Sequence, residues 1–307
     1  MLRPSPLPAV LSPVITPFLA NGEPDGGRLA RQCAWLLANN VGLAIFGTNS
    51  EANSMSTRQK LALLESLVAQ GLAVDQMMPG TGACAIDDAV VLTRAAVEAG
   101  AAGTLMLPPF YYKDLSDDGL LAYYSEVIDR VGSSRLQVYV YNIPQVTKVP
   151  LSLDLLARLV KAFPTTVVGM KDSSGDWSYT ESVIRALAPH GFRVYAGSEV
   201  FLLRTLRAGG VGCISATANV NPAAISALAR DWQSPLADNR QAELDQVRSM
   251  FQSLPMIAAM KAAVADTLKD SDWARVRPPL VPLNDAQLAT LRESMAKTGF
   301  SMPGLAS

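Results

Sequence analysis

Short runs of apolar, β-branched residues recur along this chain, each followed by a longer stretch of helical periodicity. No other feature constrains the fold as tightly. The runs occupy residues 10–18, 43–47, 77–81, 104–107, 136–142, 167–171, 193–197 and 211–215. Most are apolar at consecutive positions, as in Val138-Tyr139-Val140-Tyr141, a pattern that suits strands covered on both faces of a parallel sheet. Helix punctuation is legible between them. Ser56-Thr57-Arg58-Gln59 fits a capping box with a stop at Gly71, Ser152 can cap a helix carrying Leu155, Leu156 and Leu159, and Ser198 can cap 199–208 ahead of Gly209-Gly210. The spacing leaves room for the crossover helices that parallel strands need. Eight such units predict an α/β fold, specifically a (β/α)8 TIM barrel. An open doubly wound sheet would call for GxGxxG after the first strand, and Gly80-Thr81-Gly82 at the third falls short of that. Beyond Asn221 the strand signal stops and helices are expected at 241–253, 256–267 and 285–297. The predicted division is a barrel over 1–221 and a C-terminal helical region over 222–307.

Composition removes several kinds of chemistry. Lys and Arg number 26 against 27 Asp and Glu, a net charge of −1 with no basic stripe, so nucleic acid is not an expected partner. The single histidine, His190, excludes zinc sites and proton relays built on several imidazoles. It stands where a helix stops and reads as a cation at a helix C-terminus. Acid–base work therefore falls to Tyr, Lys, Asp, Glu or a hydroxyl. Cys33, Cys84 and Cys213 are scattered, as expected of reduced thiols in a cytosolic protein without a disulfide or metal framework. Arg3 and the apolar residues after it resemble the start of a signal peptide, but Pro4, Pro6, Pro8, Pro13 and Pro17 would break its helix. No run is long enough to span a membrane. A soluble, cytoplasmic protein is expected. Charged residues make up 17% of the chain, below the usual ~25%, which points to surface buried in an oligomer.

In a barrel of this kind reactive groups sit at the C-terminal ends of strands. Those ends supply Thr16, the turn Gly47-Thr48-Asn49-Ser50-Glu51, the loop Pro108-Pro109-Phe110-Tyr111-Tyr112, Tyr141-Asn142, Lys171-Asp172-Ser173-Ser174, Ser198-Glu199 and Ser215-Ala216-Thr217. The inventory has one strand-end lysine, candidate tyrosines and several hydroxyl turns, and it suits imine chemistry better than metal or phosphate chemistry. Lys171 either snorkels to solvent, pairs with Asp172 or Glu199, or lies desolvated in the barrel mouth, where the neutral, nucleophilic amine is favoured. Tyr141, on the preceding strand, is a buried aromatic or a proton carrier beside Lys171. Tyr111 and Tyr112 pack or cap a site. The 47–51 turn is an ordinary βα connection or a nest of N–H groups for a carboxylate. Asp172 and Glu51 read as solvated or network-forming.

Together these segments resemble the dihydrodipicolinate synthase/N-acetylneuraminate lyase family of class I aldolases. The marks are Gly47-Thr48-x-x-Glu51, the loop ending at Tyr112, Tyr141-Asn142-Ile143-Pro144, Gly169-Met170-Lys171-Asp172-Ser173-Ser174-Gly175, Gly197-Ser198-Glu199, and Gly209-Gly210 running through Ser215 to Asn219. The resemblance implies a barrel with a C-terminal helical domain, a homotetramer, and a cofactor-independent reaction of pyruvate or another 2-oxo acid without a metal. It implies Lys171 as the Schiff-base lysine and Tyr141 as the acid–base phenol. Thr48 would link to Tyr141 in a relay completed by Tyr112 from across a subunit interface. Asn49, Ser50 and Ser215 would serve substrate binding.

Two departures matter. Asn49 and Ser50 replace the usual Thr and Gly of the family's carboxylate turn. Val146 stands where synthases that condense pyruvate with aspartate semialdehyde carry an arginine, and valine cannot form a bidentate ion pair. The reading that follows is a pyruvate-dependent aldolase for a 2-keto-3-deoxy sugar acid or related substrate, or for a hydrophobic acceptor. The alternatives are a sugar-acid dehydratase, a dihydrodipicolinate synthase whose grip has moved to Lys148, and a non-catalytic barrel that binds a 2-oxo acid.

Overall fold

A computed structural model describes residues 7–306; Arg3, Pro4 and Pro6 of the proline-rich leading segment lie outside the described residues. The strands are β1 (Val10–Ser12), β2 (Gly42–Leu43), β3 (Thr104–Met106), β4 (Val138–Asn142), β5 (Val167–Asp172), β6 (Arg193–Ala196) and β7 (Gly212–Ile214). Helices α1 (Gly26–Ala38), α2 (Thr57–Ala69), α3 (Ile86–Ala99), α4 (Asp117–Val131), α5 (Pro144–Thr147), α6 (Leu153–Ala162), α7 (Trp177–Leu187) and α8 (Leu202–Arg207) alternate with them. All pairings between these strands are parallel, in the order β2-β1-β7-β6-β5-β4-β3.

The gap between β2 and β3 is filled by residues 77–81. Leu43 bridges Met77 and Gly80 bridges Leu105, both in parallel. The Met78 and Gly80 amides donate to Leu43 and Ile45 at 2.8 and 2.7 Å, and the Leu105 amide donates to Pro79 at 2.8 Å. The eighth expected strand is therefore a hydrogen-bonded segment in the strand position that never becomes a regular strand. Pro79 has no N–H to give. A Cβ on Gly80 would lie 2.2 Å from the Phe46 carbonyl oxygen, and one on Gly82 2.3 Å from the Leu107 amide. These glycines serve close backbone approach. The first run is also shorter than expected, since Pro13 and Pro17 cannot donate and regular pairing stops at Ser12.

Local signals set most helix ends. Ser56 and Gln59 form the reciprocal capping box, and Gly71 adopts a positive φ of 75°. The Ser152 hydroxyl accepts from Leu155. Ser198 caps a short 3-10 turn (Glu199–Phe201) that precedes α8, in place of one continuous helix. His190 is exposed and ends the 3-10 turn after α7.

Side chains of Leu11, Ala44, Met78, Leu105, Tyr139, Val168 and Ile214 fill the interior of the ring. Val138, Val140, Val167 and Met170 face the opposite way, onto the helices. After Asn221 come α9 (Pro222–Arg230), which the sequence reading omitted, α10 (Ala237–Gln252), α11 (Met256–Leu268) and α12 (Asp285–Thr298). α11 buries Ala259, Ala263 and Val264 in the cluster that holds Leu29 and Leu36 of α1. Among the described residues no helix is long and apolar enough to cross a membrane.

Candidate active site

The orientation of Lys171 depends on an irregularity in β5. Val138 pairs with Val167 but Tyr139 pairs with Gly169, so the register slips by one residue at Val168. Val167 faces the helices, Val168 the interior, and Met170 the helices again. A regular strand would have kept Val168 and Met170 on one face. The bulge shifts the phase and puts Lys171 on the interior side, opposite Met170. Gly169 accommodates the bulge, since a Cβ there would lie 2.3 Å from the Arg193 carbonyl oxygen and 2.6 Å from the Tyr139 ring.

Lys171 pairs in register with Tyr141 of β4. Its Nζ lies 4.4 Å from the centroid of the Tyr141 ring, and both side chains are only 3% exposed. Burial alone would raise the phenol, but the Lys171 charge and hydrogen bonds with Thr48, Ser173 and Lys171 together hold it below its ordinary value of 10. Lys171, Tyr141, Thr48 and Asn49 line one cavity of about 720 Å³, a volume suited to a small-molecule substrate.

The turn after β2 is held from within and from behind. The Gly47 amide donates to the Ser50 hydroxyl at 3.1 Å, and the Ser50 amide donates to the Gly47 carbonyl at 3.1 Å. Ser50 is buried and does not line the cavity, whereas Thr48 and Asn49 do. Glu51 is buried, not solvated: it accepts from Lys261 Nζ at 2.6 Å and from the Arg277 amide at 2.7 Å. Asp172 likewise belongs to a network, accepting from Asn142 at 2.8 Å, the Ser174 hydroxyl at 2.9 Å and Thr180 at 2.5 Å.

Ser215 does not reach the cavity. Its hydroxyl donates to the buried Glu199 carboxylate, as does that of Thr217. Arg248 of α10 stands 3.3 Å from the same carboxylate. Tyr112 is 70% exposed and lies outside the cavity, its ring edge-on to Tyr111. Val146 is exposed, Lys148 is the exposed residue that ends α5, and neither lines the cavity.

Sequence reasoning missed Ser173, Arg248 and Gln252. Ser173 was within reach, being in the segment after Lys171. Arg248 and Gln252 sit one turn apart on a helix far from any strand end, where a charged residue reads as a solvated face. Among the described residues no group of three or more His, Cys, Asp or Glu could hold a metal ion.

Comparison with known proteins agrees with this geometry. An uncharacterised DapA-like lyase of Chloroflexus aurantiacus is 32% identical, over 92% of this chain and 94% of that protein. Dihydrodipicolinate synthase from Agrobacterium tumefaciens superposes with a TM-score of 0.85 at 34% identity, covering 94% of this chain and 99% of that one. A prophage protein of the dihydrodipicolinic acid synthase family from E. coli K12, solved in complex with pyruvate, gives a TM-score of 0.86 at 26% identity, covering 96% and 99%. The model of the dihydrodipicolinate synthetase family matches residues 6–298. With its curled parallel sheet and nearly full-length match, this chain belongs to the dihydrodipicolinate synthetase family of carbon–carbon lyases.

Proposed function

We propose that the protein is a class I aldolase that forms a Schiff base between Lys171 and a 2-oxo acid, pyruvate being the simplest. The observation that carries this is the buried pairing of Lys171 with Tyr141 in the cavity, with Nζ 4.4 Å from the ring. Lys171 Nζ adds to the C2 carbonyl, and loss of water gives the imine. In the cleavage direction Tyr141 takes the proton from the C4 hydroxyl and the C3–C4 bond breaks. Its electron pair passes to the imine nitrogen, leaving an enamine and a free aldehyde. The enamine takes a proton at C3, and water returns pyruvate and the amine. Thr48, hydrogen-bonded to Tyr141, passes protons onward, and Tyr112 of a second copy completes the relay. The 2-oxo carboxylate rests on Thr48 and Asn49, with Ser50 holding the turn and Ser215 acting through Glu199. The barrel, 1–221, does the chemistry with the helical region 222–307 at its flank, in a cytoplasmic homotetramer that needs no cofactor. A sugar-acid substrate fits less well than an apolar one, because Val200, Phe201, Met256 and Ile257 line the cavity.

Intact-mass measurement after incubation with pyruvate and borohydride tests the reading. A reduced adduct is expected on the native protein and none on Lys171→Ala. Tyr141→Phe should keep the adduct while turnover falls roughly 10²–10⁴-fold. An adduct on the Lys171→Ala protein would refute it.

A further inference from the structure

We propose that Arg248 is the specificity residue of this lyase and that it receives a carboxylate carried by the aldehyde half of the substrate. The inference rests on the Schiff-base reading above and names the class of acceptor: an aldehyde with an apolar chain or ring that ends in an acid.

Val146 offers no charge, and Lys148 lies outside the cavity. Besides Lys171, the one cation among the residues lining it is Arg248. Lys171 is consumed by the imine, so Arg248 alone can meet a second anion. Its guanidinium is held in place without being used up. Nη1 faces Glu199 at 3.3 Å and Nε donates to Gln252 at 3.1 Å, while Nη2 has no hydrogen-bond partner among the described residues. Glu199 is 1% exposed, does not line the cavity, and shares its charge with the Ser215 and Thr217 hydroxyls. A buried carboxylate that anchors one edge of a guanidinium leaves the other edge oriented for a second acceptor.

The surrounding wall sets the rest of the acceptor. Phe201, stacked on Trp177 with centroids 6.2 Å apart, joins Met256, Ile257 and Leu280 in lining the cavity. A polyhydroxylated chain would leave hydroxyls unpaired against these side chains, at a cost that an aliphatic or aromatic body does not incur.

The test pairs aldehydes that differ only in the acid: succinic semialdehyde with butanal, and 4-carboxybenzaldehyde with benzaldehyde, each condensed with pyruvate by the full-length protein. Glyceraldehyde serves as the polyol. The acidic member of each pair should show a kcat/KM at least about tenfold higher, as loss of one charge-assisted hydrogen bond implies. Arg248→Leu should bring that ratio near one by raising KM for the acidic aldehyde, and Arg248→Lys should keep part of it. Equal rates within the pairs, an undiminished ratio in Arg248→Leu, or a preference for glyceraldehyde would overturn the proposal. So would trapping of the pyruvate imine with no turnover of any acidic aldehyde. Borohydride trapping on every variant separates these results: no adduct on the native protein defeats the Schiff-base reading itself, and no adduct on Arg248→Leu alone marks a damaged fold, in which case Arg248→Lys decides.

Discussion

Tyr141 shows how two opposing forces act on one atom. Removing its ring from water disfavours phenolate, and the ammonium of Lys171 with three hydrogen bonds favours it; the second group prevails. Lys171→Met should therefore raise the phenol, since the attractive charge is gone and the burial remains. An NMR titration of ring-labelled tyrosine on the native and variant proteins checks this, and a lower value in the variant would contradict it. The two residues were legible in the sequence because each ends an apolar strand and few other groups there can carry a proton. Arg248 was not legible, because only folding brings α10 over the barrel mouth. Ser50 and Ser215 were legible as small polar residues at strand ends, but which atoms their hydroxyls meet depends on Gly47 and Glu199.

Among the elements, β5 repays the closest reading. A continuous apolar run such as 167–171 looks the same with or without a bulge, so alternation along it could not be phased from sequence. Deleting Val168 should remove the bulge while Gly169, Met170 and Lys171 keep their pairing with Tyr139, Val140 and Tyr141, so the lysine should stay on the interior side and the borohydride adduct should persist. A parallel Gly169→Ala variant keeps the phase but forces a Cβ against the Arg193 carbonyl, and should lose stability by about 1–3 kcal/mol while still trapping pyruvate. Denaturant titration and intact mass, read together, check both variants; loss of the adduct on a folded deletion variant would contradict this register. The segment 77–81 teaches a similar lesson. Its position in the ring was readable from apolar content, but Pro79 and the close approach at Gly80 decide that it never pairs as a full strand.

At the scale of the molecule, the most consequential tie is between Glu51 and Lys261, both buried and 2.6 Å apart. Burial brings the Lys261 ammonium down to about 8, with Glu51 opposing the shift only in part. Between about 8 and the ordinary lysine range near 10.4 the unfolded chain binds more protons than the native one, so this group makes stability rise with pH there. Its contribution is lost as pH falls through about 8. Lys261→Met leaves Glu51 without its cation and should cost about 3–5 kcal/mol. The stability gap between native and variant proteins should widen from pH 8 to 10; a gap that narrows would contradict the assignment. The alternation of strands and helices was open to reading because each unit is local, whereas this tie spans 210 residues and left no trace in any window. It also orders events during synthesis. The turn that presents Thr48 and Asn49 leaves the ribosome well before its anchors, Lys261 and the Arg277 amide, which follow Glu51 by 210 and 226 residues. Until those residues have been made a nascent chain cannot fix this turn, and so it stays catalytically unarmed.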